Sequence, residues 1–345
     1  MAGFIQDRLG PTEVGPKGLL QSVADGLKLL QKEDIVPAAA DRWVFLAAPI
    51  LIFVAVFAGF SVVPLAPNFS GSAIESGVFY LMAIISLDVL GFILAGWSSN
   101  NKYALFGAMR AVAQMISYEV PLSLIVLAVV MITQSLSLHE IVEQQGLFTN
   151  VSNQLFGITS IEVGSVDPAA AQPVVQGGFL TWNVLRYPLL IPGMLIFFIA
   201  SLAEANRGPF DIPEAESEII AGIHTEYSGF RMSIILLSEY AMMWLIALLG
   251  VTLFFGGWNT ALPNVGSVNL ANWTSGNSGQ WTMYAWSFFW LFGKAAIWIF
   301  LQFWARWTYP RLRVDQLMYL CWKVLTPAAL IIVLGAGFWR LWMVS

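Results

Sequence analysis

The stretch that decides the fold is S-I-I-L-L-S-E-Y-A-M-M-W-L-I-A-L-L-G-V-T-L-F-F-G, residues 233–256. Its 24 residues carry one charged side chain, Glu239. A helix of that length is about 36 Å long, which exceeds the roughly 30 Å hydrocarbon core of a bilayer. The stretch therefore predicts a transmembrane helix.

Six further stretches of the same kind fill most of the remaining chain. Hydrophobic residues make up 58% of the sequence and charged residues 11%, and the mean hydropathy is +0.72. A soluble domain carries about 25% charged residues. We therefore predict an all-α, polytopic transmembrane helix bundle with no soluble domain left over, so that residues 1–345 form a single integral membrane domain. The predicted spans are residues 43–63, 77–97, 120–136, 187–203, 233–256, 283–304 and 322–343.

Residues 1–42 precede the first span and lack the apolar core of a signal peptide. After a turn rich in glycine and proline, their pattern predicts an amphipathic helix over about residues 18–32 that lies along the membrane surface. The apolar face of this helix is formed by Leu19, Leu20, Val23, Leu27 and Leu30.

Lysine and arginine are distributed unequally between the loops. They occur in residues 1–42 and in every second loop, whereas the loops 64–76, 137–183 and 257–282 contain none. Because positively charged loops stay on the cytoplasmic side, we expect the N-terminus to be cytoplasmic. The same rule places the charged loop 204–231 on the cytoplasmic side.

The loop 204–231 concentrates negative charge between two predicted spans. Asp211 followed by Glu214 resembles a capping box, and Pro213 suits a first helical turn, so a short helix over about residues 212–221 is predicted. Clustered carboxylates in a poorly solvated place titrate as a group. A solvated acidic surface is the alternative interpretation, but the proline, glycine and aromatic content favours a defined shape. The six carboxylates are Glu204, Asp211, Glu214, Glu216, Glu218 and Glu226.

Charged residues also occur within the spans. Asp88, Glu239 and Lys294 lie inside predicted spans, and Glu119 lies at the edge of the third. Residues 104–119 are also helix-like, so the third helix is open to a start a few turns earlier, with Glu119 within the membrane. Each charge at the centre of a membrane helix costs about 2.5–3.5 kcal/mol, so such residues are functional candidates. Together with the acidic loop they predict a polar path into the membrane.

Redox centres are not expected from this chain alone. It contains one cysteine, Cys321, and two histidines, His139 and His224. These numbers exclude a cysteine-ligated iron–sulfur site or a histidine-rich metal cluster built by this chain alone. Any redox centre must therefore come from partner subunits.

Four sequence blocks identify the chain more closely. The loop E-A-N-R-G-P-F-D-I-P-E-A-E-S-E-I-I-A-G-I-H-T-E-Y-S-G starts at Glu204, and R-L-G-P-T-E-V-G-P-K-G-L-L-Q-S-V-A-D-G-L-K-L-L spans residues 8–30. S-S-N-N-K-Y-A-L-F-G-A-M-R-A-V-A-Q-M-I-S-Y-E-V spans 98–120, and Y-P-R-L-R-V-D-Q-L-M spans 309–318. In these blocks the chain closely resembles the NADH dehydrogenase subunit 1 family of respiratory complex I over nearly its whole length.

The resemblance implies a membrane subunit at the quinone site of a proton-pumping NADH:quinone oxidoreductase in the bacterial cytoplasmic (inner) membrane. Quinone, as ubiquinone or menaquinone, would be the substrate, with FMN and iron–sulfur clusters on partner subunits. The implied partners are peripheral cluster-bearing and quinone-site subunits, small membrane subunits, antiporter-like subunits and membrane lipid, and no nucleic acid. The implied quinone-chamber residues are Arg8, Arg207, Phe210, Asp211, Arg311 and Arg313. The implied proton path consists of Glu119, Glu204, Glu214, Glu216, Glu218 and Glu239.

The chain departs from the family at its start. Family members usually carry one more transmembrane helix before the block at Arg8, whereas about seven residues precede it here. An upstream start codon, a truncation or a seven-span form would each account for this. Thr12 and Glu13 stand where asparagine and arginine are more usual, so this contact would lose a cation.

Three other functions fit the sequence less well. A membrane-anchor and ion-path subunit of a related membrane-bound hydrogenase would share the fold, but is expected to lack the full R-G-P-F-D-I-P-E-A-E-S-E loop. The ferredoxin-fed photosynthetic relative usually differs from this loop at several positions. An independent transporter is disfavoured because the two halves show no repeat.

Overall fold

The computed structural model describes residues 2–67, 69–72, 74–148, 154–155, 158–159, 175–176, 178–212, 220–263, 270–276 and 280–344. Within these ranges the chain is helical, apart from two antiparallel pairs of two-residue strands. The strands are β1 Leu147–Phe148 paired with β4 Val175–Gln176, and β2 Gln154–Leu155 paired with β3 Ile158–Thr159.

The helices follow the predicted order of spans. The short or surface helices are α1 Ala2–Ile5, α2 Gln21–Gln31, α6 Leu138–Gln144, α7 Asn183–Arg186 and α10 Leu270–Ser275. The long apolar helices are α3 Arg42–Phe60, α4 Gly77–Ser98, α5 Lys102–Thr133, α9 Gly229–Phe254 and α11 Trp281–Thr308. The last apolar segment joins α12 Val314–Tyr319, the π-helix Leu320–Leu325 and α13 Thr326–Val344. The 3-10 helices are Pro16–Gly18, Phe179–Thr181 and Gly222–Thr225.

Six of these segments are long and apolar enough to cross a membrane, and a seventh apolar helix, α8 Leu190–Glu204, is shorter at 15 residues. They correspond one to one with the seven predicted spans. The all-α polytopic bundle is thus confirmed, and the chain is a multi-pass membrane protein. The predicted amphipathic helix is also present as α2, whose Leu27 and Leu30 side chains are exposed.

The third helix begins well before residue 120, as the helix-like pattern of residues 104–119 indicates. Helix α5 starts at Lys102, not at residue 120, because its polar first half continues without a break into its apolar second half. The Asn101 side chain begins the helix by accepting a hydrogen bond from the Tyr103 backbone N–H at 2.9 Å. Glu119 therefore lies in the interior of a 32-residue helix.

Small residues bring the central helices close together. A Cβ at Gly96 of α4 would lie 2.2 Å from the Ala108 Cβ of α5, so only glycine permits this approach. Helix α5 also packs against α8 and α13, and α9 packs against α3, α8 and α11. The main apolar core lies among these helices, and a second core cluster forms where the loop 204–231 returns to them.

Candidate functional site

A buried ion cluster joins three separate segments of the chain. The Arg207 Nη2 atom lies 3.3 Å from Glu239 Oε2, and His224 Nε2 lies 3.2 Å from Glu239 Oε1. All three side chains are buried: Arg207 is 7% exposed, Glu239 5% and His224 8%. The guanidinium also lies over the Tyr240 ring, 4.5 Å from its centroid. Glu239 is therefore held by one permanent cation and one titratable ring.

Arg207 lies on a turn that is held against α5 by hydrogen bonds and ring packing. The buried Gln114 amide donates to the carbonyl oxygens of Ala203 at 2.7 Å and Phe210 at 2.8 Å. The Phe210 ring is buried edge-on against Tyr118, with ring centroids 5.3 Å apart. The backbone entering and leaving Arg207 is thus fixed to α5.

Two predicted chamber residues meet at the surface of this turn. Arg311 Nη2 lies 3.2 Å from Asp211 Oδ2, and the Leu312 N–H donates to the Pro209 carbonyl oxygen at 3.1 Å. The Arg311 side chain is 37% exposed, so this pair is far more accessible to solvent than the Arg207–Glu239 pair. The segment that precedes α12 is therefore docked on the turn that follows α8.

The other two predicted chamber arginines do not join this cluster. Arg313 is exposed at the N-cap of α12. Arg8 is exposed too, and its side chain donates to Gln6 Oε1 at 2.8 Å. Among the described residues, neither arginine forms an ion pair with a carboxylate.

Four acidic residues from four different helices lie near one another in the bundle. Asp88 of α4 interacts electrostatically with Glu239 of α9, and Glu204 at the end of α8 interacts with Asp88 and with Glu119 of α5. Glu119 accepts a hydrogen bond from the Ser86 hydroxyl. Three of the four were predicted site residues. Asp88 is not part of the proton path that the family resemblance implies, but its charge in the middle of an apolar span already made it a functional candidate.

Two of these carboxyl groups are buried with unused hydrogen-bonding capacity. Glu204 is 1% exposed and Asp88 is 3% exposed. Within the described ranges, neither carboxyl oxygen of Glu204 has a hydrogen-bond partner, and the same holds for Asp88 Oδ1. A buried carboxyl group in this situation must either bind a proton or take up a polar ligand such as water. The cluster is thus suited to proton exchange.

The 3-10 helix Gly222–Thr225 brings His224 to this cluster. It packs on α5 where two glycines meet, since a Cβ at Gly107 would lie 2.7 Å from the Gly222 Cα. Just after it, Tyr227 stacks on Phe45 with ring centroids 4.2 Å apart, and burial raises the pKa of Tyr227 to about 12. His224 was not among the predicted site residues, although it belongs to the loop block that starts at Glu204.

Some predicted features fall elsewhere. Glu214, Glu216 and Glu218, together with most of the predicted helix over residues 212–221, lie outside the described residues. Lys294 lies apart from the acidic cluster. Its amine donates to the carbonyl oxygens of Phe255 at 2.7 Å, Gly257 at 3.0 Å and Asn259 at 2.6 Å, beyond the end of α9.

Comparisons with known proteins agree with the motifs. The NADH dehydrogenase family model matches residues 1–336. An NADH-quinone oxidoreductase subunit of Cytophaga hutchinsonii is 56% identical, over 99% of this chain and 93% of that protein. The corresponding subunit of Chlorobaculum parvum is 46% identical, over 98% of this chain and 85% of that protein. That of Verminephrobacter eiseniae is 41% identical, over 99% of this chain and 84% of that protein. The chain therefore belongs to the NADH dehydrogenase subunit 1 family, a membrane subunit of NADH-quinone oxidoreductase, respiratory complex I.

Proposed function

We propose that this chain forms part of the quinone chamber of complex I and couples quinone reduction to proton translocation. The observation that carries the proposal is the buried cluster in which Arg207 and His224 share the carboxylate of Glu239. From this cluster a set of interacting acids leads through Asp88 to Glu204 and Glu119. The arrangement connects a surface site with the interior of the bundle.

Quinone reduction explains why arginines belong around the partly exposed Arg311–Asp211 pair, which we call the rim. Reduction to quinol adds two electrons and two protons, so negative charge develops on the substrate before the protons arrive. In a site with little water this charge is stabilised by fixed cations. Arg311, paired with Asp211, supplies a cation of this kind, and Arg8 and Arg313 are assigned to the chamber on their sequence motifs. Phe210, between Arg207 and Asp211, anchors the turn in the bundle.

Arg207 is the proposed link between the rim and the buried acids. It precedes Asp211 by four residues on the same turn, and its guanidinium touches Glu239. Charge that develops at the rim changes how strongly Arg207 neutralises Glu239. Glu239 then binds or releases a proton, and the change passes to Asp88, Glu204 and Glu119. The loop acids Glu214, Glu216 and Glu218 are assigned to the same path on their sequence motif.

The remaining parts of the machinery belong to other subunits. Partner subunits with FMN and iron–sulfur clusters deliver electrons to the quinone, and antiporter-like membrane subunits receive the proton signal. Membrane lipid surrounds the apolar helices. The distribution of lysine and arginine supports an N-terminus and acidic loop on the cytoplasmic side of the bacterial inner membrane.

The substitution Glu239→Gln tests this function in the assembled complex. The amide keeps the size of the side chain and one acceptor for Arg207, which offsets part of the cost of leaving the buried guanidinium without its carboxylate, and the amount of assembled complex is measured alongside activity. NADH-driven proton uptake by inverted membrane vesicles should fall about 10-fold or more, since a group that exchanges protons has been lost. Quinone reduction should fall with it, because the two processes are coupled.

Glu143→Gln is the matched control. Glu143 also lies near a histidine, with His139 Nε2 3.1 Å from its Oε1, but the glutamate is 53% exposed on α6, at the opposite end of the bundle. This variant should pump at the normal rate. Normal proton uptake and quinone reduction in Glu239→Gln vesicles would rule out the proposed coupling role.

A further inference from the structure

A cavity of about 420 Å³ opens to the surface where three long helices begin or end. The connector before α3, the end of α4 and the start of α5 line it. Helix α4 has 22 residues and is therefore about 33 Å long, close to the thickness of the hydrocarbon core. The cavity thus lies at the level of the lipid headgroups, on the side that the lysine and arginine distribution assigns to the cytoplasm.

Hydrogen bonds between separate segments hold the walls of this cavity in place. The Asp41 backbone N–H donates to the Ser98 carbonyl oxygen at 3.0 Å. The Asn100 side-chain amide donates to the Ala39 carbonyl oxygen, also at 3.0 Å, across 61 positions of the chain. The cavity is therefore formed by the chain itself, and a ligand that enters it does not have to order its walls.

The cavity presents one acid and one base that do not neutralise each other. Asp41 and Lys102 both line it and both are exposed. Within the ranges that the structure describes, neither forms an ion pair. Asp41 is the N-cap residue of α3, yet its side chain accepts no capping hydrogen bond from that helix. Both charged groups are thus available to a ligand.

The charge around Lys102 favours an anion. Lys102 is the first residue of α5, where the helix dipole is itself positive, so an ammonium group there lacks the partner that the helix end prefers. A phosphate at this position would be stabilised by the ammonium group and by the helix end together. Asp41, on the opposite wall, requires a cation. A ligand that satisfies both groups is a zwitterion.

Exposed apolar side chains surround the charged part of the cavity. Trp97 lines it and is 71% exposed, and Leu105 lines it from α5. Trp43 at the start of α3 and Phe106 on α5 are exposed nearby in the chain. Tryptophan is typical of the membrane–water interface, where one end of a ligand is wet and the other apolar. The combination fits a ligand with a charged head and hydrocarbon tails.

We propose that this cavity binds the headgroup of a zwitterionic phospholipid that carries a primary ammonium group, as phosphatidylethanolamine does. Lys102 contacts the phosphate, Asp41 accepts a hydrogen bond from the ammonium group, and Trp97 contacts the first part of the acyl chains. A choline headgroup has no N–H to donate to Asp41, and a glycerol headgroup brings no cation to it. The site goes beyond the proposed function and does not depend on the proton path.

A photo-cross-linker in the cavity identifies what occupies it. Trp97 is replaced by p-benzoylphenylalanine, which exchanges one exposed aromatic side chain for another, and Leu105 is the second position if that complex does not assemble. Purified complex in vesicles of equal parts phosphatidylethanolamine and phosphatidylglycerol is irradiated, and the adducts on this chain are identified by mass spectrometry. Phosphatidylethanolamine adducts should exceed phosphatidylglycerol adducts about threefold, as one exposed ion pair allows.

The same cross-linker at Phe338 is the matched control. Phe338 on α13 is also 71% exposed but does not line the cavity, so the two lipids should react equally there. Soluble phosphoethanolamine at the same concentration as the lipid should not reduce the adducts at Trp97, because it lacks the acyl chains. Displacement of the lipid adducts would show that the cavity takes a free zwitterion instead.

Two charge variants assign the two contacts. In a complex that also carries Asp41→Asn, the ratio of the two lipids at Trp97 should fall to about one, since the acid that selects the ammonium group is gone. Lys102→Met should lower the yield of both adducts about threefold, because both lipids carry a phosphate. Lys323→Met removes an exposed lysine outside the cavity and should change neither the yield nor the ratio.

Three results would overturn the proposal. The first is an equal yield of the two lipids at the cavity, and the second is a ratio that Asp41→Asn leaves unchanged. The third is an adduct with another polypeptide at the cavity position, because the cavity would then be a contact between subunits.

Discussion

The two ends of α9 stabilise charge in opposite ways. In its first half, Glu239 is bound by the side chains of Arg207 and His224, which come from two other segments. Beyond its last turn, the Lys294 amine of α11 is bound by three main-chain carbonyl oxygens. Both residues appear in the sequence as a lone charge within an apolar span.

The difference between these partners separates a functional site from a structural one. Carbonyl oxygens at a helix end carry a fixed partial negative charge and take up no proton themselves, so they bind the Lys294 amine without exchanging protons with it. The same helix end is closed by Gln145, which donates to the Thr252 carbonyl oxygen at 2.9 Å, and by Asn183, which donates to the Leu253 carbonyl oxygen at 2.9 Å. Around Glu239, by contrast, the partners are the permanent cation of Arg207 and the titratable ring of His224. We expect protons to be exchanged between the side chains around Glu239, and no such exchange between Lys294 and its carbonyl partners.

Arg207→Met is expected to give the largest loss of stability. It leaves Glu239 buried without its permanent cation, and removing one partner of a buried pair costs about 3–5 kcal/mol. The thermal denaturation temperature of the purified complex should fall, and both quinone reduction and proton uptake should be lost.

Arg311→Met is the control for this first change. The Arg311–Asp211 pair is partly exposed, and exposed pairs contribute about 0–1 kcal/mol. Its stability should therefore be near normal, while the Michaelis constant for quinone rises if the rim binds substrate. Equal destabilisation by the two variants would contradict the distinction between buried and rim pairs.

Lys294→Met should have an intermediate effect on stability and none on coupling. It leaves three carbonyl oxygens without their donor, and unsatisfied buried acceptors cost about 1–3 kcal/mol. Less complex should assemble at elevated growth temperature, while the ratio of protons pumped to NADH oxidised stays normal. The control Lys323→Met removes an exposed lysine stacked on Tyr319. It should change neither the amount of assembled complex nor the ratio of protons pumped to NADH oxidised. A changed ratio in Lys294→Met would show that the far end of α9 also belongs to the proton path.

Hydropathy was sufficient to predict the architecture, but not every boundary. The seven apolar runs mark the spans because lipid imposes one simple requirement on composition. The apolar run of the third span begins only at residue 120 because Lys102, Arg110 and Glu119 interrupt the pattern, although residues 104–119 are helix-like in sequence. Tertiary packing stabilises this first half of α5, with buried Gln114 bound to the turn after α8.

The sequence predicted which residues belong to the site better than it predicted which of them contact each other. Motifs named Arg207 and Glu239, yet 32 residues separate them, and no sequence pattern shows that they touch. His224 joins the site only because the loop folds back against α5, which the sequence does not reveal. Lys294 and Asp88 gave the same signal in the sequence, and their different partners appear only in three dimensions.

Asp88→Asn should have the smallest effect on stability and a clear effect on coupling. The amide keeps the size of the side chain and removes an acid that is buried beside Glu204 and Glu239, so stability should change little or rise. If Asp88 passes protons between these two residues, proton uptake should drop severalfold while NADH-driven quinone reduction drops less. Asp88→Glu restores an acid at this position and should recover part of the uptake, measured in the same vesicles. Full proton uptake in Asp88→Asn would limit the path to the acids that the sequence motifs already indicate, and the comparison between the ends of α9 would then rest on Glu239 and its two partners alone.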